Sequence, residues 1–262
     1  MSQDVPCPRG QDVPCPRCQA LGEIDPTCPR CEGSGEVCAI CKGMGYVYAT
    51  PPQRGLVPCS CGLVYRRQSQ VLAAVSALRG RLRECSFKNF LLEGRAREAT
   101  KPFNAVIRWA REPTGWLVLY GGKGNGKTHL AAAAANHLIA QGKPALFVNV
   151  PEFLDWLRES YSRPSFDDTE ETFSLRFELV RNAPVLVLDD LGAESDTPWA
   201  NEKLYILLNY RLEMRLPTMI TSNLRFEDFS GRLRSRLGEV GFSVLVHNPA
   251  PDYRLRTGEV TV

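Results

Sequence analysis

The chain has 262 residues, 44% hydrophobic and 23% charged, a balance that excludes an intrinsically disordered protein and is more than one small core needs. Lys and Arg number 32 against 29 Asp and Glu, so at +3 any nucleic-acid surface must be a local patch, not a global field. No apolar run reaches the roughly eighteen residues of a membrane span, and MSQDVPCPRG lacks the charged-then-apolar layout of a secretion signal, so a cytoplasmic chain with no membrane partner is expected.

Cysteine is the unusual residue. Nine of the ten lie between Cys7 and Cys61, and only Cys85 lies beyond, which marks the first sixty residues as a separate unit. In a reducing compartment, clustered cysteines point to metal or redox chemistry before disulfides. Eight of the nine fall in four pairs, Cys15 and Cys18, Cys28 and Cys31, Cys38 and Cys41, Cys59 and Cys61, and Cys7 is left without a partner. A Cys-x-x-Cys turn aims two thiolates at one ion, and zinc takes four soft ligands in a tetrahedron, so eight cysteines suffice for two zinc ions per chain. Adjacent pairing joins Cys15, Cys18, Cys28 and Cys31 on one ion and Cys38, Cys41, Cys59 and Cys61 on the other. The alternative joins the outer pairs and the inner pairs, and is supported by Cys-Glu-Gly-Ser-Gly and Cys-Lys-Gly-Met-Gly, which resemble the repeats of the DnaJ-type chaperone zinc domain. All three histidines lie beyond residue 128, which excludes mixed Cys/His sites in this segment. Ahead of it, Gln3-Asp4-Val5-Pro6-Cys7-Pro8-Arg9 repeats as Gln11-Asp12-Val13-Pro14-Cys15-Pro16-Arg17, and residues 1–12 are expected to be a disordered extension.

From Arg66 to Glu84 the pattern turns helical, with Val71, Leu72, Val75, Leu78 and Leu82 on one face, five arginines elsewhere, and Gly80 as a point of bending. The arginines could meet phosphates or a partner protein, or simply form a solvated face.

The strongest signal begins at the apolar strand Trp116-Leu117-Val118-Leu119-Tyr120 and runs into Gly121-Gly122-Lys123-Gly124-Asn125-Gly126-Lys127-Thr128-His129. This is G-x-x-x-x-G-K-T with a strand before it and an alanine-rich helix after it, the context that identifies a phosphate-binding loop. Backbone N–H groups would wrap the phosphates of ATP at a helix N-terminus, Lys127 would neutralise the β- and γ-phosphates, and Thr128 would offer its hydroxyl to Mg²⁺. The imidazoles of His129 and His137, on that helix, read as packing or surface groups.

Pro184-Val185-Leu186-Val187-Leu188 is a continuous apolar run, as a strand buried on both faces should be, and it ends in Asp189-Asp190. Asp189 is the candidate for the Mg²⁺ shell, and Asp190 for polarising the attacking water. A third apolar strand, Pro217 to Ile220, ends in Thr221-Ser222-Asn223, where the Asn223 amide could orient that water. Farther on, Arg232 and Arg236 are four apart and share a helix face, from which an arginine could reach a neighbouring subunit's nucleotide.

Taken in order, Gly-x-x-x-x-Gly-Lys-Thr-His-Leu, Leu-Asp-Asp-Leu-Gly, Thr-Ser-Asn and Arg-Leu-x-Ser-Arg resemble the AAA+ ATPases of the DnaC/DnaI helicase-loader group, whose relatives include the IstB transposition ATPases and the initiator DnaA. The resemblance covers about residues 86 to 256. It implies an α/β fold, an AAA+ P-loop core with a parallel sheet between helices, preceded by a small zinc-binding domain and a helical connector. Asn223 would then correspond to sensor 1, Arg236 to the arginine finger and Arg254, in Asp252-Tyr253-Arg254, to a sensor 2-like contact. Ser86-Phe87-Lys88-Asn89-Phe90 resembles the family's Phe-rich entry near the adenine. Cys38 to Arg67 resembles the zinc module that precedes DnaC-like ATPases. The expected organisation is an extension at 1–12, a zinc domain at 13–65, a connector at 66–85 and an ATPase domain at 86–262. The implied function is ATP-dependent delivery of a replicative DNA helicase to single-stranded DNA, with self-association through the ATP sites. An IstB-like or phage-replication ATPase, or an ATP-regulated peptide-binding zinc module, are the alternatives.

Overall fold

The structure is a computed structural model that describes residues 63–90, 96–162 and 169–253, with short stretches at 12–14, 36–38, 46–48 and 56–59 and the positions Cys41 and Met44. The chain divides into two compact units, residues 1–70 and 71–262.

In the first unit, strand β1 (Asp12–Pro14) pairs antiparallel with β2 (Glu36–Cys38), and β3 (Tyr46–Tyr48) with β4 (Leu56–Pro58). Such short ladders cannot bury a core of their own, and a cross-link must supply what packing does not. The three described cysteines of this unit lie together: the thiols of Cys38, Cys41 and Cys59 are all within 4.8 Å of one another, with Cys41 and Cys59 buried.

Helix α1 (Leu63–Val75) leads out of this unit. The helical pattern predicted through Glu84 breaks at Val75, five residues before Gly80, and resumes only as the single turn α2 (Arg81–Glu84). Tertiary bonding overrides the periodicity here. The Ala77 N–H donates to the Phe147 carbonyl at 2.9 Å, Ser76 Oγ accepts from the Leu78 N–H, and Leu78 is buried. The extended segment thus covers the outer edge of strand β6 (Ala145–Asn149), which would otherwise stand open, and Val71 is left 53% exposed instead of joining a buried stripe.

The second unit is built on five parallel strands in the order β6-β7-β8-β5-β9, where β5 is Trp116–Tyr120, β7 Val185–Leu191, β8 Thr218–Ser222 and β9 Ser243–His247. Alternate residues feed two cores. Trp116, Val118, Leu186, Leu188 and Ile220 pack on one face, and Leu117, Leu119, Val185, Val187 and Met219 on the other, which is why these strands read as unbroken apolar runs. The first face is covered by α5 (Val150–Ser162), α6 (Thr169–Arg181) and α7 (Pro198–Glu213). The second is covered by α3 (Ala96–Arg111) and α4 (Lys127–Ala140). Ala131 to Ala135 are all buried, because α4 lies between the sheet and α3 and only small side chains allow both approaches. Thr197 caps α7, its hydroxyl accepting from the Ala200 N–H, with Pro198 at the first helical position.

Among the described residues, one charged side chain, that of Arg211, is fully enclosed. Arg211 donates to Thr218 Oγ1 and to the carbonyls of Arg181, Ala183 and Pro217 at 2.8 to 2.9 Å, tying the end of α6 to the starts of β7 and β8. No helix among the described residues is long and apolar enough to cross a membrane.

Candidate functional site

In an open parallel sheet the carboxyl ends of the strands form the natural crevice for ligands. The loop after β5 lies there, beside the end of β8: the Gly121 N–H donates to the Ser222 carbonyl at 3.2 Å. Gly121 has φ of +145°, and a Cβ on it would run into the Asn248 carbonyl, so glycine is required by close backbone approach. Gly126, at φ +90°, turns the loop into α4. Within the loop Lys127 is buried, and its Nζ donates to the carbonyls of Gly121 at 2.9 Å and Gly122 at 2.5 Å and to Asn125 Oδ1 at 3.0 Å. An ammonium gathered into the loop by its carbonyls carries the charge that a polyphosphate fits. Lys123 and Thr128 are exposed beside it.

Asp189 and Asp190 are adjacent in β7 and would ordinarily point to opposite faces of the sheet. They do not, because the β7–β8 register shifts between Leu188 and Leu191 and Asp190 takes φ of +65°, a left-handed conformation rare outside glycine. This bulge lets both carboxylates bond to the end of β8. Asp189 Oδ1 accepts from Thr221 Oγ1 at 2.7 Å, Asp190 Oδ1 accepts from Asn223 Nδ2, and the Asp190 N–H donates to the same Thr221 hydroxyl at 2.9 Å. Three of the candidate catalytic residues are therefore in one hydrogen-bonded group. Burial pushes the Asp189 carboxyl above its usual range, opposed by the hydroxyls of Thr221 and Thr128 and by Lys127, while the charge of Asp190 adds to the rise. A buried carboxylate bonded to the Thr128 hydroxyl offers the hard oxygen donors that fit Mg²⁺.

Thr221 escaped the sequence reading, which gave a role only to Asn223. Its signal is a β-branched hydroxyl at the end of an otherwise apolar strand next to the acidic one. Glu194 also escaped it: its Oε2 accepts from the Gly192 N–H at 2.8 Å just after the bulge, and burial, reinforced by the like charges of Asp190 and Asp196, raises its pKa.

His129 faces away from the loop. Its Nε2 lies 3.1 Å from the Ser86 carbonyl and 3.0 Å from Asn89 Oδ1, and its ring meets Phe90 edge-on, so it fastens the Ser86–Phe90 segment onto α4. Asn136, two turns on, holds the carbonyls of Leu82 and Cys85. On α8 (Gly231–Leu237), Arg232 is exposed, whereas Arg236 is half-buried and folds back onto α7, donating to the Tyr205 hydroxyl at 3.3 Å with its guanidinium 5.7 Å from that ring's centre. The two arginines thus diverge in use despite their helical spacing. Cys15, Cys18, Cys28, Cys31, Cys61 and Arg254 lie outside the described residues.

The cysteine cluster of the first unit is a separate candidate centre. Cys38 Sγ and Cys59 Sγ are 3.9 Å apart, about the edge of a tetrahedron with metal–sulfur bonds of about 2.3 Å and far beyond a disulfide bond of about 2.05 Å. Three thiols at this spacing fit zinc.

With β8 interposed between the strand of the phosphate loop and the strand of the carboxylates, and its asparagine reaching the second of them, the second unit is a P-loop domain of the AAA+ class. A family model described as IstB-like ATP binding protein matches residues 104–239, just over half of the chain, and the chain belongs to that family. The phage-like element PBSX protein XkdC of Bacillus subtilis is 30% identical over 209 residues, 72% of this chain and 73% of XkdC. The replicative helicase loader DnaI of the same organism is 38% identical over 108 residues, 41% of this chain and 32% of DnaI, so the chain matches only about a third of that relative's length. The crystal structure of a DnaI superposes with a TM-score of 0.52 at 25% identity, covering 68% of this chain and 94% of that one.

Proposed function

We propose that the chain hydrolyses ATP with Mg²⁺ and uses the cycle to load a replicative DNA helicase onto single-stranded DNA. The observation that carries the hydrolytic half is the Asp190–Asn223 hydrogen bond beside the buried Asp189. It supports a division of labour in which Thr128 and Asp189 hold the Mg²⁺ shell, Asp190 polarises the attacking water and Asn223 keeps that carboxylate turned toward it. The loop Gly121–His129 receives the phosphates, and Lys127 exchanges its carbonyl partners for them. Arg236 completes a neighbouring subunit's site, which requires it to leave Tyr205. The helicase and the single-stranded DNA are inferred from the similarity to a replicative helicase loader.

In the first unit, Cys61 joins Cys38, Cys41 and Cys59 on one zinc, and Cys15, Cys18, Cys28 and Cys31 bind a second. This zinc module grips the helicase. The test is helicase loading onto closed single-stranded DNA circles. Stimulation that disappears in Lys127→Ala is expected, and no stimulation, or stimulation indifferent to Lys127, refutes the proposal. A second reading, an ATPase of phage replication or transposition, is favoured by the XkdC match, which extends over most of the chain. Co-purification of a transposase or phage replication protein, with no helicase, would select it.

A further inference from the structure

The x positions of G-x-x-x-x-G-K-T carry no chemical requirement of their own, yet the loop contains a buried amide that is hydrogen-bonded through both its nitrogen and its oxygen. Asn125 and Asn248, just beyond β9, are each 1% exposed. Each side chain bonds the other's backbone: Asn125 Nδ2 donates to the Asn248 carbonyl at 2.9 Å, and Asn248 Nδ2 donates to the Asn125 carbonyl at 3.1 Å. The side-chain oxygens are used as well. Asn125 Oδ1 accepts from Lys127 Nζ at 3.0 Å, and Asn248 Oδ1 accepts from the Ala250 N–H at 3.2 Å. Asn248 is itself fixed to β5, its N–H donating to the Tyr120 carbonyl at 2.7 Å. The same C-terminal segment returns to the loop a turn later. The Tyr253 N–H donates to the Gly124 carbonyl at 3.0 Å, and a Cβ on Gly124, which has φ of +69°, would overlap the Asp252 carboxylate.

We propose that Asn248 is a positioning residue of the nucleotide site: through Asn125 it holds the phosphate loop open and fixes the resting place of the Lys127 ammonium. This rests on the reading of the loop as the ATP site. When phosphate arrives, Lys127 must leave the Gly121 and Gly122 carbonyls and Asn125 Oδ1. A loop held only by its own lysine would lose its internal support at that moment. Asn125 is pinned from its other end by a strand-anchored carbonyl, so it neither follows the lysine nor collapses into the space it vacates. The loop N–H groups then stay where the phosphates need them, and binding bears less of the cost of ordering the loop. The two asparagines are 123 residues apart, so the clasp also links the phosphate loop to the segment after β9.

The experiment uses the full-length chain and four variants, Asn125→Ala, Asn248→Ala, Asn248→Asp and the double alanine variant. Calorimetry gives the Kd for MgATP, steady-state hydrolysis gives KM and kcat, and a thermal melt without nucleotide controls for stability. Asn248→Asp keeps the volume and the Ala250 acceptor but offers no N–H to the Asn125 carbonyl, so it tests the clasp should the alanine variant fail to fold. Each single variant is expected to raise Kd and KM about tenfold, with KM rising more than kcat falls. The double variant is expected to be no more than about twofold worse than the weaker single, because the two residues act as one unit. Wild-type affinity in Asn248→Asp, or single effects that multiply to about a hundredfold in the double variant, overturns the proposal. Lower melting temperatures with unchanged Kd also overturn it, since they assign the pair to stability alone. Failure of the wild-type chain to bind MgATP is a different result and refutes the ATP site itself.

Discussion

Replacing Thr221 by valine tests whether the hydroxyl at the end of β8 controls the acidic pair of β7. Valine keeps the β-branched shape that a buried strand end requires and deletes only the oxygen. That oxygen donates to Asp189 at 2.7 Å and accepts from the Asp190 N–H at 2.9 Å, and the threonine is 1% exposed. A hydrogen bond to an ionised group contributes about 1.5–3 kcal/mol, and a buried N–H left without a partner costs about 1–3 kcal/mol, so with partial relaxation a loss of about 3 kcal/mol is expected. The loss should depend on pH. Burial already raises the Asp189 pKa in the folded state, and the Thr221 bond opposes that rise because it favours the ionised carboxylate. Removing it raises the folded pKa further. The destabilisation is therefore smallest below the wild-type folded pKa, where both proteins carry the proton, and grows to its full value above the variant's pKa, where both are ionised. Urea unfolding across the acid range up to about pH 8 measures it, and the acid limb of Mg²⁺-dependent ATPase activity should move to higher pH with it. A loss under about 0.5 kcal/mol, or one equal at both ends of the range, refutes the account of Thr221 as a group that favours the ionised form of Asp189.

Asn223→Ala should lower kcat by about 10²-fold or more while leaving the MgATP Kd near wild type, since it frees the Asp190 carboxylate without touching the phosphate loop; fluorescence titration with single-turnover kinetics separates the two. Arg211→Met should destabilise the chain by about 3 kcal/mol in chemical denaturation, because three carbonyls and a hydroxyl lose their donor inside the core. Elemental analysis should find about two zinc ions per chain, and Cys59→Ser should remove about one; an unchanged zinc content in that variant would exclude Cys59 as a ligand.

The parts of the molecule that could be read without coordinates are those where one local rule operates. Trp116 to Tyr120 and Val185 to Leu188 are apolar without interruption because both faces of each strand are covered, and the phosphate loop is a local turn whose glycines are set by backbone conformation and close approach. The connector leaves its helical period at Ser76 because that period is weaker than the bonds that Ser76 and Ala77 make to the Phe147 carbonyl, about seventy residues away. No local pattern marks Arg211 as interior, and only the packing of α7 over the strand starts buries it. The spacing of Arg232 and Arg236 correctly predicted a shared helix but not that Tyr205 would engage one of them.

By itself, then, the sequence determined which chemical groups this protein has to work with: the loop lysine, the paired carboxylates, the strand-end asparagine and the cysteine pairs, each at the end of a segment whose type follows from local pattern. Only the tertiary structure decided which of them meet. The bulge at Asp190 turns two consecutive carboxylates toward β8, Thr221 lies between them, and Asn248 closes on Asn125 across 123 residues. These contacts depend on the parallel order that places β8 and β9 on either side of β5. Sequence periodicity reports which face of a strand is buried, not which strands lie beside it, so the partners of the site became visible only when the sheet was assembled.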